Sequence, residues 1–307
     1  MRIIHTAQEL KPGGRKVCLA IGFFDGVHLG HQQIIRQTLS DAKQHEAIGL
    51  VLTFDRHPNT AVAPSRVPPL IYSLPQKLRA IESLGADTLL LIRFDQAFSE
   101  QTGAAFVRGL ACDLGQIQSL CVGANFVFGH KRGGNVELLR KLGAELKFTV
   151  HGMAAVSLDG RAVSSTRIRE AIRAGNLDRV SQMLGRAYSL AGAVVRGDGL
   201  GHQLGFPTAN LDVTGLALPP HGVYAVLAET AGKAYRAVLN IGHRPTLRDP
   251  NPQLRVEAHL IDFAGDLYGQ ELEVAFVEKR REEKQFASLT ELRQQIAQDI
   301  LDAQLRF

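Results

Sequence analysis

The sequence is short of cysteine. Its 307 residues hold three, Cys18, Cys112 and Cys121, and no two form a CxxC pair. An odd, unpaired set excludes a disulfide framework and leaves structural zinc without thiolate pairs. The thiols read as buried groups of a reducing compartment, and the expected location is the cytoplasm. Long apolar runs are missing too. The longest, such as residues 89–92, fall far short of the ~20 residues a membrane span needs. The opening MRIIHTAQEL has no apolar stretch of signal-peptide length, so no leader is expected there. No GxxxxGK[ST] loop occurs, nor any low-complexity segment or long-period repeat. Charge of one sign is not in large excess: 35 Lys and Arg against 30 Asp and Glu, a net +5. That balance suits nucleotides as well as nucleic acid. The densest run, EKRREEK at 278–284, nearly cancels itself and reads as a solvated surface. No nucleic-acid or membrane partner is expected, and oligomeric state is left open. What is present is ordinary globular material, 45% hydrophobic and 21% charged, which excludes disorder. The length fits about two domains.

Up to residue 185 or so, short apolar runs alternate with helix-period stretches. Residues 17–22, 48–54, 88–94, 119–125 and 147–153 read as strands, and 31–43, 74–84, 103–114 and 136–146 as helices. The alternation predicts a Rossmann-like α/β domain: a parallel sheet with helices on both faces. Ligands of such sheets bind at the carboxyl ends of strands, which directs attention to the segments after Gly22, Phe54 and Asn125. Helices at 165–174 and 177–184 follow. Beyond Gly185 strands succeed one another, at 188–195, 223–228, 234–241, 255–263 and 271–278. Strands without crossover helices predict a small antiparallel β-barrel. A helix over 288–305 closes the chain, with Ser288 and Glu291 forming a capping box. The expected domains are 1–185 and 186–307.

The strongest local signal is Gly22-Phe23-Phe24-Asp25-Gly26-Val27-His28-Leu29-Gly30-His31, which follows a strand and opens a helix. Gly26 and Gly30 permit close backbone approach and unusual φ, and a helix N-terminus attracts anions. His28 and His31 are three apart and share a face of the first turn. Read alone, they fit phosphate donors, a structural pair, or two ligands of a metal that lacks a third. The strand, the glycines and the helix together favour phosphate, beside which protonated imidazole is favoured. The second signal is Ser164-Ser165-Thr166-Arg167-Ile168-Arg169, where hydroxyls precede a helix and two arginines follow. Alone it reads as an N-cap. Beside the histidine segment it reads as a second phosphate contact.

Together these elements resemble the nucleotidylyltransferase superfamily. More closely, GFFDGVHLGHQ, LTFDRHP, VGANFVFGH and VSSTRIREAI resemble the bacterial bifunctional family that joins riboflavin kinase to FMN adenylyltransferase, or FAD synthetase. In the second half, LGFPTAN at 204–210, the glycine-rich GDGLG at 197–201, NIGHRPT at 240–246, VEAHLIDFAGDLYG at 256–269 and the Arg281, Glu283, Lys284, Phe286 set are similar to kinase motifs of the same family. The resemblance spans essentially the whole chain. Phe23 stands where a small residue is common, Leu200 and His202 where Arg is common, and His243 where Thr is common. Asp55-Arg56-His57-Pro58 differs slightly from the usual acidic-Pro-His-Pro.

The resemblance implies two reactions. Riboflavin and ATP give FMN and ADP in the barrel. FMN and ATP give FAD and pyrophosphate in the α/β domain. In the kinase, Glu257 is the implied base, Thr208 and Asn210 the implied Mg²⁺ ligands, and Gly199 and Gly201 part of an ATP-covering loop. On spacing alone Glu257 reads as a strand residue paired with a cation such as Arg255. In the adenylyltransferase, Gly22, Asp25, Gly26, Gly30, His28 and His31 hold the triphosphate, with Ser165, Thr166, Arg167 and Arg169 at the departing end. Asn125 and Phe128, and in the kinase Arg281 and Glu283, are candidate flavin contacts. The implied partners are the small molecules riboflavin, FMN, FAD and ATP. One rival reading is a single-activity adenylyltransferase whose barrel only binds flavin. A nucleic-acid-binding barrel is the rival from another class, which the mixed charge of the second half disfavours.

Overall fold

The computed structural model describes residues 1–243 and 254–305. Arg244, Pro245 and Thr246 of the NIGHRPT segment lie outside the described residues. The chain forms two compact units, residues 1–69 with 74–165, and residues 70–73 with 166–307.

In the first unit the strands are β1 (Arg2–Ile4), β2 (Val17–Ile21), β3 (Ile48–Phe54), β4 (Thr88–Ile92), β5 (Ile117–Gly123), β6 (Val127–Phe128), β7 (Gly134–Asn135), β8 (Thr149–Met153), β9 (Ser157–Leu158) and β10 (Arg161–Ala162). The helices are α1 (Leu29–Gln44), α2 (Asn59–Val62), α3 (Leu74–Glu82), α4 (Gln96–Ser99), α5 (Gly103–Leu114) and α6 (Val136–Leu146). Six strands form a parallel sheet in the order β1-β4-β3-β2-β5-β8. All five residues of β2 are buried, as a central parallel strand covered on both faces requires. Side chains alternate between two cores. Leu19, Ile21, Leu50, Leu52, Leu120 and Val122 face one, and Ala20, Val51, Leu89 and Cys121 face the other. The strand order turns between β2 and β5, so their carboxyl ends flank the topological switch point.

The second unit begins within α7 (Ser165–Arg173) and continues through α8 (Leu177–Leu184). Its strands are β11 (Ser189–Val195), β12 (Ala209–Leu211), β13 (Gly222–Thr230), β14 (Lys233–Gly242), β15 (Arg255–Leu260) and β16 (Glu271–Arg281), with a one-turn helix α9 (Leu200–Gln203) and the terminal α10 (Leu289–Gln304). The six strands close into an antiparallel barrel, β11-β12-β15-β14-β13-β16, with β11 and β16 pairing to complete it. The predicted fold class is therefore observed in both halves.

Three details differ from the sequence reading. The three-residue strands β1 and β12 are too short to show a period, yet β12 completes the barrel. The 119–125 strand ends at Gly123, which leaves Asn125 in the turn beyond it. At α10, Ser288 Oγ accepts from Glu291 N–H at 3.2 Å, but the Glu291 carboxylate reaches Ala287 N–H rather than that of Ser288, so the capping box is shifted by one residue. The second compact unit takes in most of α7 and all of α8 as well as the barrel. Val180, Met183 and Leu184 of α8 are fully buried, and the excursion at 70–73 joins the same unit: Leu70 pairs with Leu216, and Arg186 Nε donates to Tyr72 OH at 3.1 Å.

All three cysteines are free, Cys18 and Cys121 buried and Cys112 exposed. Burial raises the Cys18 thiol above its ordinary range and pushes Cys121 up to about 12. The thiolate is the reactive form. Native protein should therefore take up one equivalent of a thiol reagent, at Cys112, and three only after unfolding in guanidinium, as read by intact mass.

Candidate active sites

The segment between β2 and α1 is held in strained backbone. Phe24, Gly26 and Val27 have φ of 54°, 73° and 41°. Gly26 tolerates this, but a left-handed β-branched Val27 is a true outlier. Phe24 and Val27 are buried anchors, 1% and 0% exposed, and their burial holds the turn. A Cβ on Gly22 would strike the Phe24 ring, whereas one on Gly30 would meet only the edge of His28 at 3.3 Å. His28 is the N-cap of α1: its Nδ1 accepts from His31 N–H at 3.4 Å. The proton of a neutral His28 therefore sits on Nε2. The two imidazoles are stacked, centroids 3.5 Å apart and 19° from parallel. Two cations so placed repel, so double protonation needs an anion close by. Asp25 is buried, and its carbonyl accepts from Ser165 Oγ at 3.2 Å. That bond joins the first residue of α7 to the histidine segment. Of the other predicted residues of this set, Thr166 is exposed on α7, and Arg167 and Arg169 are buried there, all within the second unit.

Beside this segment the first unit contains a cavity of about 630 Å³ walled by Phe23, Phe54, Phe94, Phe98, Phe106, Phe126 and Phe128, with His57, His130, Lys131 and Arg132 also on its lining. The rings pack largely edge to face, Phe54 on Phe94 at 5.4 Å and Phe94 on Phe98 at 5.2 Å, while Phe126 and Phe128 stack at 5.3 Å. Gly134 lets the backbone lie against the Phe128 ring, where a Cβ would stand 2.9 Å from it. Phe128 thus lines the cavity. Asn125 is exposed on the preceding turn and is not among the lining residues. Sequence reasoning missed Phe23, Phe54, Phe94, Phe98 and His57 as a group. The only signal was positional, since three of the five follow or end a strand at the carboxyl edge of the sheet.

In the second unit the strand register makes a polar row. Asn210 of β12 and Asn240 of β14 both pair with Glu257 of β15. Glu257 alternates with the buried Val256 and Ala258 and so faces away from the barrel core. Arg255, the partner that spacing offered it, instead gives Nη1 to Asp198 Oδ2 at 3.0 Å and ties down the glycine-rich loop. In that loop a Cβ on Gly197 would collide with the Asn210 amide, and one on Gly201 with Phe206 O and Thr208 Oγ1. Gly199 is left-handed, φ 73°, and exposed. The loop backbone therefore closes directly on Thr208 and Asn210. Two cavities meet here. One of about 160 Å³, lined by Phe206, Val223, Val238, Phe286, Leu292 and Ile296, reaches Glu257, Asn240, Arg281 and Glu283. The other, about 400 Å³, is lined by Pro207, Phe263, Tyr268 and the 264–267 turn. Thr208 and His259 line both. His259 Nδ1 lies 2.8 Å from Pro207 O and so donates to it.

Among the described residues no group of three or more His, Cys, Asp or Glu is placed to hold a metal. The neutral oxygens of Thr208 and Asn210, against which the loop closes, fit Mg²⁺, a hard ion that keeps waters and takes substrate phosphates as ligands rather than a full protein cage. Arg281 is more constrained than expected. Its Nε and Nη2 grip both oxygens of Asp299 at 2.8 and 2.6 Å, and its Nη1 donates to Glu282 O at 3.0 Å. The guanidinium thereby ties β16 to α10, and three of its five N–H donors are taken, which leaves one on Nη1, one on Nη2 and the planar face for a ligand. Glu283 packs against Gly242, where any Cβ would overlap its carboxylate.

The two units thus define a two-domain fusion, a Rossmann-like parallel-sheet half and a closed barrel half, each with its own cavity. A family model for FAD synthetase matches residues 11–167 and one for riboflavin kinase matches residues 184–307. A bifunctional riboflavin kinase/FMN adenylyltransferase of Escherichia coli (strain K12) is 37% identical over 305 residues, covering 99% of this chain and 97% of its own. One from Pseudomonas fluorescens is 36% identical with the same coverage. A solved structure described as a macrolide-efflux protein from Streptococcus pneumoniae matches with a TM-score of 0.82 at 26% identity, covering 99% of each chain. The word efflux belongs to that protein, and the likeness here is of fold. No helix among the described residues is long and apolar enough to cross a membrane. The chain belongs to the bifunctional riboflavin kinase/FMN adenylyltransferase family.

The Arg281–Asp299 pair gives a direct test of how α10 is held. The two side chains are only 16% and 6% exposed. Removing one member leaves a buried charge unpaired, which costs about 3–5 kcal/mol. Asp299→Ala should lower the thermal unfolding temperature sharply, and Asp299→Asn, which keeps one acceptor, should lower it less.

Proposed function

We propose that the two activities of this flavin enzyme are divided between the two units as follows. The chain phosphorylates riboflavin with ATP to FMN and adenylylates FMN with ATP to FAD, releasing pyrophosphate. The functional boundary lies near Gly185, a division supported by family matches that end at 167 and resume at 184.

In the barrel, the flavin ring occupies the apolar cavity under α10, and the nucleotide the cavity beside Tyr268. The observation that carries this reading is that Thr208 lines both cavities, with the Asn210–Glu257–Asn240 row alongside. The ribityl 5′-hydroxyl would then meet the γ-phosphate beside Glu257. Glu257 accepts the hydroxyl proton as oxygen attacks the γ-phosphorus and the bond to ADP breaks. Thr208 and Asn210 would hold Mg²⁺, which supplies charge neutralisation on the nucleotide phosphates. Gly199 and Gly201 let the loop cover them. Arg281 and Glu283 line the flavin side.

In the first unit, the flavin of FMN lies in the phenylalanine-walled cavity, with Phe128 on one wall. Its phosphate, already an anion, attacks the α-phosphorus of ATP, and the bond to pyrophosphate breaks. No protein nucleophile is needed. His28 Nε2–H, His31 and the backbone of Gly22, Asp25, Gly26 and Gly30 hold the triphosphate at the N-terminus of α1. Ser165, at the start of α7, contacts the departing pyrophosphate, and Asn125 contacts FMN from the turn outside the cavity. We place the enzyme in the cytoplasm, on its free thiols and its use of ATP.

Product ratios separate the halves. His28→Ala with His31→Ala should stop FAD formation while FMN accumulates, each lost donor costing on the order of 10²–10³ in rate. Glu257→Gln should abolish FMN formation from riboflavin yet still convert supplied FMN to FAD. Loss of both activities in a folded histidine double mutant would replace two sites with one composite site.

A further inference from the structure

Lys77 of α3 is only 4% exposed, a rare state for lysine. Its Nζ donates to Phe54 O at 2.7 Å, to Phe23 O at 3.3 Å and to Thr53 Oγ1 at 3.3 Å. Thr53 Oγ1 itself donates to Phe23 O at 3.0 Å. The ammonium also lies 4.6 Å from the centre of the Phe23 ring. Three acceptors thus match the three N–H bonds of an ammonium. They belong to the last residues of β3 and to the segment that leaves β2. Phe23 and Phe54 are both walls of the large cavity, and Phe23 meets His57 of the β3 side edge-on at 5.0 Å. None of this was singled out in the sequence, where Lys77 sits in an unremarkable amphipathic helix.

We propose that protonated Lys77 is a positioning residue for adenylyl transfer: it ties the ends of β2 and β3 together and so fixes Phe23 and Phe54 as walls for the flavin of FMN. This rests on the reading that the cavity takes the flavin. A neutral amine has two donors and a lone pair, and the lone pair would face an oxygen it cannot bond. The tie therefore needs the charge. Burial is the main influence on Lys77 and lowers it to about 8 from an ordinary 10.5, with the carboxylates of Asp25, after β2, and Asp55, after β3, partly restoring it. Asp55 is itself paired with Arg56 at 2.9 Å. The linkage signs then oppose one another. The unfolded chain keeps the lysine proton up to its ordinary value, while the folded chain releases it near 8, so folding stability rises with pH across that window. The tie weakens over the same window. Poorer FMN binding above pH 8 would therefore accompany a fold that is growing more stable, which separates it from alkaline unfolding.

The test is KM for FMN and kcat of FAD formation, measured with the full-length enzyme from about pH 6.5 to 10, alongside thermal unfolding and riboflavin kinase activity. Wild-type KM for FMN should be level below pH 8 and rise about tenfold above it, the effect of losing hydrogen bonds to a charged group. Lys77→Met should raise KM about tenfold at every pH, remove the pH dependence, and leave riboflavin phosphorylation unchanged. Phe128→Ala checks the cavity reading separately. If Phe128→Ala leaves KM for FMN unchanged, the cavity does not hold the flavin. If Phe128→Ala raises KM while Lys77→Met does not, or if the rise above pH 8 persists in Lys77→Met, the Lys77 proposal is overturned. Should Lys77→Met not fold, the wild-type profile decides alone: a KM level through pH 9 overturns the proposal.

Discussion

Between β2 and α1 the chain must turn from a buried strand into a helix within seven residues, and it does so through left-handed backbone at Phe24, Gly26 and Val27. Only one of those three is glycine. The cost at the other two is offset by burying both side chains in the sheet's second core. That constraint places His28 at the N-cap and stacks His31 upon it. It also leaves Asp25 O facing the Ser165 hydroxyl. A looser turn would let the helix start slide by a residue, and the two imidazoles would no longer share one direction. The placement of both imidazoles at the N-terminus of α1 is thus a consequence of hydrophobic burial at the neighbouring Phe24 and Val27.

The barrel solves a similar problem by register. In an antiparallel ladder, residues opposite one another share a face, so one correct pairing aligns Asn210, Glu257 and Asn240 across three strands. A slip of one residue on β12 would turn Asn210 to the other face. The strand has only three residues to hold that register. Its pairings on both sides, with β11 and β15, and the closure of the barrel supply what its length does not. Gly197 and Gly201 then let the loop backbone reach the row, and the Asp198–Arg255 pair anchors that loop to β15.

How much of this the sequence carries depends on the range of the interaction. The alternation of apolar runs and helix-period stretches located α5, α6 and α8 to the residue, and strand β3 as well, because burial on both faces leaves continuous apolar segments. The histidine and PTAN segments were legible because their chemistry is local: glycines, donors and a helix start lie within ten residues. The phenylalanine cavity was not. Phe23, Phe54, Phe94 and Phe128 are about thirty to forty residues apart in sequence, each reads as ordinary core, and only the parallel topology gathers their strand ends on one edge. Asn125 failed in the opposite sense, since a strand end judged two residues too late places it on the sheet when it lies on an exposed turn.

Arg281 shows why a motif residue's neighbours decide its chemistry. In the sequence it is one of several cations in EKRREEK, and the family resemblance makes it a flavin contact. In the folded unit, both oxygens of Asp299 and the carbonyl of Glu282 already take its Nε, Nη2 and Nη1. Asp299 in turn accepts from Gln295, so the pair is built into the helix that covers the cavity. The cation's work is then to hold α10 over the apolar pocket. A ligand entering that pocket meets a guanidinium plane with the Phe286 ring 6.0 Å away. It also meets the two remaining N–H bonds, one on Nη1 and one on Nη2. A planar, delocalised cation can stack on an aromatic ring system as well as donate hydrogen bonds. The stacking option suits the apolar cavity that Arg281 lines together with Phe206 and Phe286.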